Sequence, residues 1–387
     1  MSASPSRTRS QPMEFRQQEV GYVMERWRAT DSCSLVGVGS VGKSNLLQHL
    51  SDHAVQSFYM KDVADGKPFK AIIIDPSMLG PLPSNTPDVE QIRCWAGYEL
   101  MMHRLFLAFY PFDNYLDDGD TQVFYETYQA LQDGTNPLYA YMGLRYFELG
   151  LEIFMKRGIQ IVFMFDEFEE MLKQLPVKFF LTLRGLRDAN KRQLSYLTFT
   201  RSPLLEVANH LGIDALEIEP FLELFTDNMV FVGPYNETDA RKMLEDLVKR
   251  NNKKFDTYAL DFLLWATGRY AGLLRSGYHT LDTLGTLDSN AIMTMSDQIV
   301  RSLAAKRSVS TECRTIWTSL SPKEQTLLRE FARPKPNVDP NELDTQQTFA
   351  LLQQKRLLSV QGNRVVIEPP LFHFFILDHL DSEFEGR

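Results

Sequence analysis

The sequence predicts an α/β protein: a five-stranded parallel sheet with helices on both faces, then a helical segment and a small winged-helix module. Three observations support this prediction. Five short apolar runs alternate with helical patterns, a glycine-rich loop follows the first run, and the segment after Pro234 has helical periodicity. With 387 residues, 44% of them hydrophobic, the chain is long enough to form several domains with cores of their own.

The order of the elements divides the chain into four predicted segments. Their bounds are 1–12 for a flexible tail, 13–233 for the α/β core, 234–305 for the helical segment and 306–387 for the winged-helix module. Within the core, the predicted strands cover 34–37, 70–75, 159–165, 194–200 and 229–232. A long helical region over 76–158 is rich in aromatic residues, which we interpret as core or as a protein-facing surface rather than as base-stacking groups, because few basic residues lie among them.

Net charge, cysteine spacing and the length of apolar runs indicate which classes of protein this sequence does not favour. The net charge of −9 does not favour a general nucleic-acid-binding surface. Cys33, Cys94 and Cys313 are far apart in the sequence, which favours neither a disulfide framework nor a metal site. No apolar run approaches the ~18 residues of a membrane helix. We therefore expect a cytoplasmic protein with no membrane partner.

The loop after the first predicted strand has a phosphate-binding pattern. Gly37–Ser44 fits G-x-x-x-x-G-K-[ST]. The glycines let backbone N–H groups face phosphates, Lys43 reaches the β- and γ-phosphates as a point charge, and the Ser44 hydroxyl can hold Mg²⁺. The helix that follows directs its positive end at the same phosphates. The predicted contacts for ATP or ADP are Gly37, Val38, Gly39, Ser40, Val41, Gly42, Lys43, Ser44 and Asn45.

Two acids follow the third predicted strand, Ile159–Phe165. We expect Asp166 to hold Mg²⁺, directly or through water, and Glu167 to polarise the attacking water as a general base. The alternative is an acidic strand-to-helix turn in which Asp166 caps the helix. The upstream phosphate loop favours the catalytic interpretation. We assign the next two acids, Glu169 and Glu170, to a solvated helix face.

Arg201 stands at the end of the fourth predicted strand. If that strand lies beside the first one, Arg201 lies beside the γ-phosphate. An ordinary strand-end arginine is the alternative, and spacing alone does not decide between the two.

Two further stretches bear on DNA binding. Arg241–Lys254 carries six basic and two acidic side chains, which we interpret as a solvated helix end, with a phosphate-contacting patch as the alternative. From Lys335 to Arg387 there are five basic and eight acidic residues, and the predicted recognition helix offers little beyond Lys355 and Arg356. Packing or protein contact is therefore favoured over a DNA groove for this module.

Taken together, these motifs resemble the AAA+-related ATPases of the STAND and archaeal origin-initiator type, over about Phe15 to the C-terminus. Phe15–Glu19 is similar to that group's F-x-G-R-x-x-E box, although the glycine is missing, and the resemblance implies that Phe15 and Arg16 lie near the adenine. Thr198–Arg201 is similar to the T-T-R sensor of STAND proteins, which implies a γ-phosphate sensor at Arg201.

The resemblance also extends to the helical segment, which would be a lid over the nucleotide. Thr267–Gly272 lies where the family has a G-G-x-P-type motif. Here Arg269 replaces a glycine and Ala271 replaces the proline, which departs from the family's lid contact with the nucleotide.

The resemblance implies an ATP-driven molecular switch that rearranges domains, signals to protein partners and self-associates. Its catalytic residues would be Lys43, Glu167 and Arg201. The first alternative is a DNA-associated ATPase of the initiator, loader or transposition-regulator type. The second is a scaffold that binds nucleotide without turnover, against which the intact acidic pair argues. An arginine from a neighbouring subunit would come from Arg184, Arg187 or Arg192.

Overall fold

A computed structural model describes residues 11–60, 68–80, 82–133, 138–251, 256–284, 289–336, 338, 342–362 and 364–380, with backbone alone for 282–284 and 289–293. The chain divides into two compact units. The α/β unit comprises Met1–Val36 and Ser44–Val230, and the C-terminal unit comprises Gly37–Lys43 and Phe231–Arg387. The four-segment division from the sequence stays a prediction, and most of its tail, residues 1–10, lies outside the described residues.

A five-stranded sheet with the order β2-β3-β4-β1-β5 forms the centre of the α/β fold, which confirms the predicted fold class. The pairs β2–β3, β3–β4 and β4–β1 are parallel. The fourth strand has the predicted bounds, and the other four differ from the prediction by one residue at one or both ends. The strands are β1 (Cys33–Val36), β2 (Phe69–Ile74), β3 (Gln160–Phe165), β4 (Leu194–Thr200) and β5 (Met229–Phe231).

The central strands are apolar because helices cover both of their faces. Every residue of β1, β3 and β4 is buried, so none of these strands alternates between apolar and polar residues. Some of the polar exceptions hydrogen-bond to one another or to the backbone, as Gln160 does to the Trp27 carbonyl at 2.6 Å. The Thr198 hydroxyl donates to the Ser34 hydroxyl at 2.9 Å, which joins β4 to β1 inside the sheet.

Ten helices of the α/β unit lie within the described residues. They are α1 (Gln17–Arg28), α2 (Lys43–Ser51), α3 (His53–Met60), α4 (Val89–Phe109), α5 (Asp118–Gln132), α6 (Tyr139–Lys156), α7 (Phe168–Gln174), α8 (Val177–Ala189), α9 (Leu204–His210) and α10 (Ala215–Leu222). The helical region predicted over 76–158 contains three long helices, α4, α5 and α6.

The aromatic residues of the long helical region form much of the core of the α/β unit. Phe109 stacks on Phe154 with ring centroids 4.0 Å apart, and Phe124 meets Phe154 edge-on at 4.9 Å. All three are fully buried. Other rings of the same helices, such as Tyr125 and Tyr141, are exposed. The expectation of core for this region is therefore met for the phenylalanines, which pack against the sheet residues of the same cluster.

The C-terminal unit is helical and contains one β-hairpin. Its helices are α11 (Glu237–Asn251), α12 (Thr257–Ala266), α13 (Ala271–Leu284), α14 (Ser289–Ala304), α15 (Arg307–Thr318), α16 (Pro322–Ala332), α17 (Leu343–Gln354) and α18 (Pro370–Leu377). The antiparallel hairpin is β6 (Leu358–Gln361) with β7 (Arg364–Ile367). Helix α18 follows the hairpin and buries Leu371, Phe372, Phe375 and Ile376.

A buried ion pair lies between α16 and the end of α17. The Lys355 ammonium is 2.7 Å from the Glu324 carboxylate, and these side chains are 0% and 1% exposed. Glu324 also accepts the backbone N–H of Ser321 at 2.8 Å, which completes the capping box at the start of α16. Lys355 is one of the few basic residues of the predicted recognition helix, and its charge is neutralised inside the unit.

Among the helices of the described residues, none is long and apolar enough to cross a membrane.

The buried pair gives a stability prediction. Lys355→Met should lower the free energy of unfolding by about 3–5 kcal/mol, because it leaves the Glu324 carboxylate buried without its counter-ion. The matched control is Lys323→Met. Lys323 pairs with Asp344 at 2.8 Å, but the two side chains are 69% and 53% exposed, so its loss should cost less than about 1 kcal/mol. Urea unfolding followed by tryptophan fluorescence compares the variants, and equal losses would contradict the prediction.

Candidate functional site

The phosphate-loop residues Gly37–Lys43 belong to the C-terminal unit and follow β1 directly in the chain. Two residues of the loop have positive φ, Ser40 at 60° and Gly42 at 96°. At Gly42 a side chain would also meet the Tyr235 hydroxyl at 3.0 Å and the Ala271 Cβ at 3.1 Å, so glycine is needed for conformation and for space. The Lys43 ammonium donates hydrogen bonds to the carbonyls of Gly37 and of Val38, the latter at 3.1 Å.

The segment expected to form a lid contacts the loop within the C-terminal unit. The Gly272 N–H, in the first turn of α13, donates to the Ser40 carbonyl at 2.9 Å. Arg269, which replaces the family's glycine, has a φ of 65°, a conformation that glycine adopts most easily. The next residue, Tyr270, is buried, and its hydroxyl donates to the Lys355 and Arg356 carbonyls at 3.3 and 3.2 Å. Burial raises the pKa of Tyr270 well above its usual range, so its hydroxyl stays a donor.

Helix α15 covers the loop from another side, which nothing in the sequence pattern predicts. The Gly39 N–H donates to the Ser319 hydroxyl oxygen at 3.1 Å. The Ser40 hydroxyl hydrogen-bonds to the Glu312 carboxylate and lies 3.3 Å from the Glu312 carbonyl oxygen. Two loop residues that the sequence assigns to phosphate binding are thus in contact with side chains about 270–280 positions later in the chain.

In the α/β unit, the acidic pair follows β3 as predicted. The Asp166 N–H donates to the Ile74 carbonyl at 3.0 Å, so the hydrogen-bonding of β3 to β2 continues through Asp166. The Asp166 carboxylate accepts the Glu167 N–H at 3.0 Å. Glu167 has a φ of 40° and lies immediately before α7, with its side chain 57% exposed. This left-handed conformation is unfavourable for a residue with a side chain, and such conformations concentrate at functional sites.

Arg201 lies beside the acidic pair because β4 is the neighbour of β3 in the sheet. Its guanidinium is 3.5 Å from the Glu167 carboxylate, and the two side chains are 42% and 57% exposed. The Arg201 backbone N–H donates to the Glu169 carboxylate. The assignment of Glu169 to a solvated face is therefore wrong, because this half-buried carboxylate fixes the end of β4. Glu170 does face solvent, where it pairs with Lys173 at 2.7 Å.

The other predicted contacts of the α/β unit are also placed. Ser44 is exposed in the first turn of α2, and Asn45 is half-buried beside it. Phe15 is buried and packs edge-on against the His49 ring at 5.3 Å. Arg16 is 1% exposed, has a φ of 47° and pairs with Glu19 at 2.6 Å. Phe15 and Arg16 are thus buried in the α/β unit. Their predicted contact with the adenine stays a prediction.

The three arginines considered as fingers differ in their surroundings. Arg184 pairs with Asp188 at 2.7 Å and donates to the Pro220 carbonyl at 2.7 Å. Arg187 is 17% exposed and lies 3.6 Å from the same aspartate. Arg192 is exposed. Of the three, Arg192 is the one whose side chain the structure leaves most accessible.

No protein-family model matches the sequence, and comparison with curated proteins gives no match. Among solved structures, the chain is similar to the Walker-type ATPase PABY2304 of Pyrococcus abyssi, at 16% identity, 94% coverage of this chain, 95% of that chain and a TM-score of 0.50. It is also similar to the Aeropyrum pernix ORC2 protein in its ADPNP–ADP complexes. The identity is 12%, the match covers 97% of this chain and 96% of that chain, and the TM-score is 0.51. The chain thus shares the fold of these two solved structures over most of its length.

The left-handed backbone at Glu167 gives a prediction about stability. Glu167→Gly should raise the free energy of unfolding relative to Glu167→Ala by about 1 kcal/mol, because only glycine adopts this φ without steric cost. At Glu170, inside α7, the order should reverse, and Glu170→Gly should be less stable than Glu170→Ala by about 1 kcal/mol. Urea unfolding of the four variants measures both differences. The same order at the two positions would argue against strain at Glu167.

Proposed function

We propose that this chain, which has the fold of ORC-like P-loop ATPases, is an ATP-binding and ATP-hydrolysing switch. One observation supports the proposal most directly. The loop with the phosphate-binding pattern, Gly37–Lys43, is packed against α13 and α15 of the C-terminal unit. A ligand with different contacts in two arrangements of a protein shifts the balance between them. Phosphate bound by this loop would therefore change the contacts of the C-terminal helices.

The residues present suit ATP with Mg²⁺. In the proposed complex, the loop amides and Lys43 contact the phosphates, and Ser44 and Asp166 supply the oxygen ligands that Mg²⁺ prefers. Asp166 is half-buried at the carboxyl end of β3, and its carboxylate is an oxygen anion that can bind a cation. When bound, Mg²⁺ would neutralise charge on the phosphate oxygens. Phe15 and Arg16 are proposed to support the adenine end.

Hydrolysis is assigned to Glu167 with Arg201. Glu167 would accept a proton from water while the water oxygen bonds to the γ-phosphorus. The bond from that phosphorus to the β–γ bridging oxygen breaks, which gives ADP and phosphate. Arg201 is proposed as the γ-phosphate sensor, since its guanidinium lies 3.5 Å from the Glu167 carboxylate on the neighbouring strand end. A partner protein, or a second copy that contributes Arg192, would regulate turnover.

The enzymatic proposal is tested with three single variants. Lys43→Ala should lower ATP affinity at least about tenfold, because it removes the ammonium that contacts the phosphates. Glu167→Gln should keep ATP affinity and lose turnover by about 100-fold or more, since the amide cannot accept a proton. Lys173→Ala, which removes an exposed lysine from α7, serves as the control and should change neither. ATP binding is measured by calorimetry and turnover by phosphate release.

Two results would overturn the proposal in different ways. If the wild-type chain does not bind ATP, the phosphate-loop assignment is wrong. If it binds ATP and Glu167→Gln turns over as fast as wild type, the base is another residue.

Turnover that rises more than linearly with protein concentration would support a trans-acting arginine, and Arg192→Ala should then abolish that concentration dependence.

A DNA-associated ATPase is the second candidate function. Three helices, α15, α16 and α17, precede the β6–β7 hairpin, and this order supports the proposal of a winged helix. In the basic stretch, Lys249 and Arg250 are exposed at the end of α11, whereas Arg241 is held by Glu237 and Asp261, each at 2.8 Å. Lys253 and Lys254 lie outside the described residues.

DNA association is tested by duplex binding at several salt concentrations. If the second candidate is correct, Lys249→Glu with Arg250→Glu should weaken binding at all salt concentrations and lower the slope of log affinity against log salt by about two, one per lost phosphate contact. The control exchanges two exposed basic residues elsewhere in the same unit, Lys323→Glu with Arg333→Glu. Absence of binding by the wild-type chain at low salt would remove this candidate.

A further inference from the structure

Two hydrogen-bond donors of the phosphate loop are paired with groups from α15 and the residue that follows it. One of these groups is a carboxylate and the other is a hydroxyl. The Ser40 hydroxyl is bonded to the Glu312 carboxylate, and the Gly39 N–H donates to Ser319 Oγ at 3.1 Å. The Ser319 hydroxyl in turn donates to the Ile316 carbonyl at 2.6 Å, which orients its lone pairs toward Gly39. Both loop residues are among those whose donors the sequence assigns to nucleotide phosphate.

The contact is also close at the backbone. A Cβ placed on Gly39 would lie 2.5 Å from the Thr315 carbonyl oxygen, so α15 touches the loop main chain there. A Cβ placed on Gly272 would overlap the Glu312 carboxylate and come within 2.9 Å of Ser40 Cβ. Helix α15, the loop and the start of α13 are thus in van der Waals contact. A phosphate group at Gly39 and Ser40 requires that α15 move away from them.

The chemistry of the contact resembles that of the ligand. A phosphate loop favours anions because its donors and the following helix carry partial positive charge. Glu312 supplies a carboxylate, an oxygen anion of the kind that such donors bind strongly. Lys43 donates instead to the carbonyls of Gly37 and Val38. These donors of the phosphate loop therefore have hydrogen-bond acceptors within the chain itself.

We propose that α15 is an internal plug of the phosphate loop, in which Glu312 and Ser319 compete with nucleotide phosphate for Ser40 and Gly39. This inference rests on the proposed ATP site. Nucleotide binds only the fraction of molecules in which α15 has left the loop, so the apparent dissociation constant is the intrinsic one divided by that fraction. Anything that holds α15 away, such as a protein partner of the C-terminal unit, would raise nucleotide affinity.

The pattern of α15 lets the plug be altered without damage to the core. Glu312, Thr315 and Ser319 are three and four positions apart and share one face. The buried apolar stripe of the helix consists of other residues, Val309, Cys313, Ile316 and Trp317. A substitution at Glu312 or Ser319 therefore removes loop contacts and leaves the apolar face of the helix unchanged.

The test uses the full chain, with Glu312→Ala and Ser319→Ala as separate variants. The fluorescent analogue mant-ATP is titrated in the presence of Mg²⁺. Glu312→Ala should bind it about tenfold more tightly than wild type, because a hydrogen bond to a charged group has been removed from the competing state. Ser319→Ala should show a smaller gain, of about two- to fivefold, since its bond is between neutral groups. Glu342→Ala, an exposed glutamate of the same unit, is the matched control and should not change affinity.

A second measurement follows the loop without nucleotide. Hydrogen exchange detected by mass spectrometry should be faster in Glu312→Ala than in wild type for peptides that cover 37–43 and 307–318. In wild type, ATP should speed exchange in 307–318 while it slows exchange in 37–43, because α15 leaves as phosphate arrives. Thermal unfolding confirms that each variant is folded.

The outcomes separate the inference from the proposed function. Tighter mant-ATP binding together with faster exchange in Glu312→Ala supports the plug. Faster exchange with unchanged affinity means that α15 contacts the loop without competing, and unchanged exchange means that the contact is not formed in solution, so either result overturns the inference. If neither wild type nor Glu312→Ala binds the analogue, the ATP site itself is wrong and the inference falls with it.

Discussion

The position of β4 between β1 and β3 is the constraint that brings Arg201 beside the acidic pair of Asp166 and Glu167 in the α/β unit. Its register pairs Thr200 with Val36 on one side and Thr198 with Phe165 on the other. All three strands are parallel, so their carboxyl ends meet at one edge of the sheet. The acidic pair follows β3 and Arg201 follows β4. Two segments far apart in the sequence thus leave neighbouring strands of the α/β unit at the same edge.

The sequence predicts these strands well because the burial of a strand is visible in its own residues. A strand buried on both faces is apolar at most of its positions, and β3 and β4 are each followed by a charged residue that marks their carboxyl ends. Helix α18 is hard to predict for a different reason. Its residues Pro370–Leu377 are almost all apolar, so they show no period of 3.6.

The parts of the site that could not be predicted depend on partners distant in the chain. A glutamate that follows an acidic pair looks like a solvated helix residue, and only the closeness of β4 makes Glu169 an acceptor for the Arg201 N–H. Lys355 looks like a basic residue at the end of a helix, and only Glu324, 31 positions earlier, makes burial of its charge favourable. No spacing rule connects Glu312 to Ser40, because they are separated by 272 positions.

The contacts of the phosphate loop follow from a general requirement on polar groups. Donors that are arranged for an anion are costly to leave unsatisfied when no anion is present, and either water or the protein must satisfy them. Here Ser319 accepts from Gly39, and Glu312 accepts from Ser40, within the same compact unit as the loop. The free energy of ligand binding to such a loop is the difference between the ligand's contacts and these internal ones. A mutation in α15, which no rule of nucleotide binding would single out, is therefore expected to act on the affinity of the phosphate loop directly.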